Sequence, residues 1–143
     1  MKKPIKPSRL QSLVAYAPQL RDNPDQFIQF VPPKGKGTSD DPYVMGTGQS
    51  ILSGFGDQFV KMAYDSGWVV TDFDWAEWQG SEECNSLFLD RAFLVRADEN
   101  QLARLLTAII RKDRFAEGML VHAFESGLML AIAERAEALV SLG

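Results

Sequence analysis

The chain has 143 residues, a formal net charge of -4 and an isoelectric point near 5.0. One domain is the simplest division of that length, and folding hides roughly 70% of such a chain's extended surface, so no metal or disulfide staple is required. The acidic balance argues against a phosphate-binding surface, because nonspecific nucleic-acid affinity rests on Lys and Arg, and the single cysteine, Cys84, excludes an intramolecular disulfide and a Cys-rich zinc site.

Cys84 reads as a partly buried helix residue rather than a nucleophile, and a cytoplasmic location is expected. Met1-Lys-Lys-Pro is followed by no apolar segment of the kind a secretion signal carries. The longest apolar run, Met119 to Ala133, contains His122 and Glu125. It is shorter than the ~20 residues a membrane span needs, so it reads as a core helix.

Residues 1–7, with three Lys and two Pro, are expected to form a disordered basic tail, and residues 8–143 a single helical domain. Ser8 is a suitable N-cap for a first helix over about 8–21, with Leu10, Leu13, Val14, Ala17 and Leu20 at helical spacing. Pro18 should kink that helix or end it early. A second short helix over about 24–31 would start at Pro24 and bury Phe27, Ile28 and Val31.

Residues 31–49 form the one long Pro/Gly-rich segment, and loops of that length are usually functional or mobile. Gly35-Lys-Gly-Thr38 lacks the upstream glycine, the Gly-Lys-Ser/Thr ending and the preceding strand of a phosphate loop. Extended structure is allowed around Tyr43 to Met45. A third helix over about 49–66 is marked by Ile51, Leu52, Phe55, Phe59, Met62 and Ala63, with Gly67 as its C-cap. Trp68 to Thr71 is β-prone but has no strong partner strand, so it reads as an extended connector.

Asp74 and Glu77 have capping-box spacing, which puts Trp75 and Trp78 on one face of a short helix. From Met62 to Asp90 there are seven acids and no Lys or Arg. A solvated face is the plain reading; the sharper one makes Asp74, Trp75 and Trp78 a contact surface for a basic partner. A helix over about 81–92 follows. Asp98 and Gln101 form a stronger capping signal, and Leu102, Leu105, Leu106, Ile109 and Ile110 then give the clearest amphipathic helix in the chain. Arg104, Thr107 and Arg111 lie on its other side.

The last helix is predicted over about 114–140. Ala123, Gly127 and Ala131, four apart, would form a groove that lets another helix backbone approach closely. His122, Glu125 and Ser126 make a narrow polar stripe. Arg111, Asp113, Arg114 and Glu117 crowd the junction with the preceding helix. A salt-bridged corner, with Asp113 as a cap and Arg114 paired to Glu117, accounts for them structurally. The functional alternatives are an anion-binding fork of guanidiniums and an acid/base pocket that includes His122 and Glu125. No metal-ligand spacing is present, and no cofactor is expected.

The pattern Phe73-Asp-Trp-x-x-Trp78, then Arg111-x-Asp-Arg-Phe-x-Glu-Gly118, then Phe124-Glu-x-Gly127, resembles an uncharacterised, mainly bacterial family, domain of unknown function 6508. The resemblance runs from the first helix to Arg135, and Pro42-Tyr43 also fits it. Members often carry His after the motif glycine, where this chain has Met119. The resemblance implies a small helical domain and no established activity, so it supplies no catalytic residue.

The fold expected is therefore all-α: a single-domain bundle of about five to six helices around a buried C-terminal helix. The function expected is a non-enzymatic binding or regulatory module, with a protein partner or self-association, or a small anionic ligand, and without nucleic acid or membrane. The alternative is a small hydrolase-like enzyme using the polar junction.

Overall fold

The longest stripe of leucine and isoleucine places the core. In the computed structural model, which describes residues 9–31, 38–39, 49–113 and 118–142, that stripe lies on a helix over Glu99–Asp113 (α7). Asp98 and Gln101 cap it reciprocally: the Gln101 amide donates to Asp98 Oδ1 at 2.7 Å, and the Asp98 amide donates to Gln101 Oε1 at 2.9 Å. Leu102, Ala103 and every residue from Leu105 to Ile110 are buried.

The elements before α7 wrap it. The first predicted helix is two, Arg9–Val14 (α1) and Ala17–Asp22 (α2), with Pro18 in the opening turn of the second. Pro24–Phe27 is a single 3-10 turn and Ile28–Val31 a strand (β1), where a helix over 24–31 was expected. Gln49–Leu52 is a second strand (β2), so the third helix (α3) spans Gly54–Asp65 and does not start at 49. The strands pair antiparallel, Ile28 opposite Leu52 and Val31 opposite Gln49. Phe30, Val31 and Ile51 are exposed, whereas helical periodicity had placed Val31 and Ile51 inside.

Ser53 fixes the turn from β2 into α3. Its Oγ accepts from the Gly56 amide, its hydroxyl donates to the Gln26 carbonyl, and its amide donates to the Phe27 carbonyl at 3.0 Å. Gly56 is required there, since a Cβ would sit inside contact distance of the Phe27 carbonyl oxygen. Gly67, with φ +83°, closes α3 as expected: the Trp68 amide donates back to the Ala63 carbonyl and the Gly67 amide to that of Tyr64. Trp68 to Thr71 then runs as a connector without strand pairing.

Short helices follow at Trp75–Trp78 (α4), Glu82–Leu89 (α5) and Arg91–Leu94 (α6), capped by the side chains of Asp74, Ser81 and Asp90. The predicted final helix is broken. Met119–Glu125 (α8) and Leu128–Leu142 (α9) meet at Gly127, whose φ is +82°. A Cβ on Gly127 would meet nothing within 4 Å. The close helix approach expected at this glycine is thus not seen, and the residue instead supplies the left-handed conformation that ends α8. The fold is mostly α-helical, with a single small two-stranded sheet among the described residues. An aromatic cluster of Tyr16, Phe27, Phe55, Phe59 and Phe124 ties α3 and α8 to the 3-10 turn, with Phe27 stacked on Phe124 at 4.9 Å.

The two glycines give a paired test by urea denaturation. Gly56→Ala should lose about 1–3 kcal/mol through the forced contact with Phe27. Gly127→Ala should lose about 1–2 kcal/mol through its left-handed φ without any clash. An unchanged unfolding free energy in either variant would contradict the corresponding assignment.

Candidate functional site

A cavity opens where the ribbon meets the α7–α8 junction. It has a volume of about 520 Å³. Ser50, Ile51 and Leu52 of β2 form one wall. Asp57 comes from the first turn of α3, Asp113 from the last residue of α7, and Gly118 and Val121 from the start of α8. Ile51, Leu52 and Val121 make part of the wall apolar, Ser50 adds a hydroxyl, and the charged described residues are both carboxylates.

Asp113 is held in place by the chain it holds. Its Oδ1 accepts from the Leu120 amide at 3.1 Å, satisfying one of the N–H groups that the first turn of α8 leaves without a helical partner. The capping role expected of Asp113 is therefore met, seven residues away in sequence. Gly118 precedes α8 with φ +101°, a conformation that turns the backbone sharply at the mouth of the cavity.

The other described candidates are not among the residues that line this cavity. Arg111 is half-buried in the last turn of α7, and its Nε is buried with no hydrogen-bond partner. Arg114 and Glu117 lie outside the described residues, as do the 1–7 tail and most of the 31–49 segment. His122 and Glu125 are both exposed on α8, and neither is among the described residues that line the cavity.

The acidic aromatic stretch has a structural role in part. Asp74 is exposed and its Oδ1 accepts from the Glu77 amide at 3.1 Å, as its spacing predicted. Trp75 is half-buried. Trp78 packs against the core, edge-on to Phe73, and its indole N–H donates to Glu83 Oε1 at 2.9 Å. Glu83 also pairs with Arg104 and accepts from Gln101 Nε2, which binds α4, α5 and α7 together.

Several interactions have no local signal in the sequence. Thr107 was placed on the polar side of α7 but is fully buried. Its Oγ1 accepts from the Val70 amide at 2.9 Å and lies 3.1 Å from the Trp68 carbonyl and 2.7 Å from that of Ala103. Arg9 lies 4.9 Å from the Trp68 ring centroid and pairs with Glu99 at 2.8 Å. Asp57 carries no signal in the sequence, and only the folded chain brings it to the cavity.

Cys84 is buried on α5, as expected of a helix residue, and lines a smaller cavity of about 190 Å³. Burial pushes its thiol pKa up, aided by Glu83 and opposed by the positive charge of Lys112. Among the described residues no group of three or more His, Cys, Asp or Glu side chains is placed to hold a metal. No helix among them is long and apolar enough to cross a membrane.

Fold and site together define a small, mostly helical protein with one short ribbon and a mixed acidic and apolar cleft beside it. The chain belongs to the family of unknown function DUF6508, whose model matches residues 5–141, the same family that the sequence resembles. No curated protein and no solved structure matches it.

Asp113→Ala should cost roughly 0.5–2 kcal/mol in chemical unfolding, and Asp113→Asn, which keeps the acceptor, much less. Equal losses would show that the hydrogen bond to Leu120 is not what holds α8. Iodoacetamide should modify Cys84 slowly in the folded chain at neutral pH and rapidly in urea. A native rate equal to the unfolded one would contradict its burial.

Proposed function

We propose that this chain is a binding module rather than a catalyst, and that it takes a basic segment of a protein partner in the cleft between β2 and the α7–α8 junction. The observation that carries this reading is the pairing of Asp57 and Asp113 with the apolar β2 wall, beside the exposed side chains of Phe30, Val31 and Ile51. A cationic head on an aliphatic stem matches such a wall at both ends. The exposed aromatic and aliphatic ribbon supplies further contact area of the kind enriched at interfaces. The anionic-ligand alternative rests on Arg111, and the hydrolase alternative needs His122 and Glu125 to join the cleft lining; the two carboxylates among the described lining residues favour a cation. A cytoplasmic setting suits the free thiol of Cys84.

Selection of displayed random peptides against the full chain tests this. Enriched peptides should carry Lys or Arg next to a large apolar residue. Their affinity should fall with salt and drop about tenfold in Asp57→Asn with Asp113→Asn, a loss of ~1.4 kcal/mol. Enriched peptides without basic residues, or equal affinity for the double variant, would overturn the reading.

A further inference from the structure

A separate groove of about 400 Å³ runs between α6 and α9. Val95, Leu130 and Ala131 give it an apolar floor, and Val95 is 57% exposed. Such a floor is uncovered apolar surface of the sort that marks contact sites. Arg135 forms a fixed wall, since its Nε donates to the Ala97 carbonyl at 2.7 Å.

The two lips carry opposite charges that the chain leaves available. Arg91, on the α6 lip, has no acid within ion-pair distance among the described residues; it donates only to the Phe88 carbonyl at 3.3 Å. Glu134, on the α9 lip, reaches Arg21 at 3.5 Å, while Arg21 is engaged more closely by Glu137 at 2.6 Å. Arg135, next to Glu134, also has no acid within ion-pair distance among the described residues, but its Nε is held by the Ala97 carbonyl. A groove with an apolar floor, the Arg91 cation on one lip and the loosely held Glu134 carboxylate on the other is complementary to itself. In a two-fold contact each residue meets its counterpart reciprocally, so one copy satisfies both lips of the other at once.

We propose that the α6/α9 groove is the interface of a two-fold homodimer, in which Arg91 pairs with Glu134 of the partner subunit and the two apolar floors cover each other. This inference is independent of the β2 cleft and concerns a different surface of the molecule. The charge pairs at the lips set register and choice of partner, and the floor supplies the burial that holds the copies together.

Sedimentation equilibrium on the full chain tests it over rising concentration. The mass should climb from the 15.9 kDa of one chain toward twice that value. Arg91→Glu or Glu134→Arg alone should weaken dimerisation about tenfold or more, and the double reversal Arg91→Glu with Glu134→Arg should restore it, as a charge-swap cycle requires. Val95→Ser, which leaves both charges in place, should also weaken it. Circular dichroism confirms that each variant is folded. A wild-type mass that stays at one chain up to several hundred micromolar, single reversals without effect, or a double reversal that fails to recover the dimer would each overturn the proposal.

Discussion

The need to bury α7 on nearly every side is the constraint from which the rest of the structure follows. Eight of its residues are buried, and they include Thr107 as well as the leucine and isoleucine stripe. A hydroxyl in that position needs partners, because an unsatisfied buried polar group costs about 1–3 kcal/mol. Thr107 finds them in the backbone of Trp68, Val70 and Ala103, so the connector after α3 is drawn against α7 and Trp68 is sealed in the core. Glu83 and Arg104 then cover the next turn, and α8 and α9 pack from the C-terminal side.

This arrangement explains why the cleft lies where it does. At Asp113 the buried helix ends, and its last carboxylate is used to start α8. The ribbon, held to the 3-10 turn through Ser53, comes alongside this junction. Helix ends bring together polar backbone and charged side chains, while the ribbon brings apolar ones. A surface of mixed character arises there without any one element being designed for it alone.

Local signals were the ones legible in the sequence. The capping pairs at Asp98–Gln101 and Asp74–Glu77, the terminating Gly67 and the α7 stripe each depend on residues within a turn or two, and all are present. The ribbon was missed because its partners, Ile28–Val31 and Gln49–Leu52, are separated by a long segment, and pairing at that distance leaves no local periodicity. Gly127 is ambiguous in the sequence for a different reason. A glycine in an apolar helical run fits either close packing or a left-handed terminus, and only φ distinguishes them. Of the candidate site, Asp113 was legible as a cap, whereas Asp57 and Ile51 reach the same cleft only through tertiary folding. His122 and Glu125 shared a stripe, but the break at Gly127 leaves them exposed on a short helix and not along a buried rod.

Native-state hydrogen exchange resolved by residue tests the central claim most directly. If α7 is the element that the others cover, the amides of Leu105 to Ile110 should exchange only through global unfolding, with the Val70 amide among the slow set because Thr107 holds it. The ribbon amides of residues 28–31 and 49–52 should exchange faster, through local opening. Exchange across α7 as fast as across the ribbon would contradict the account.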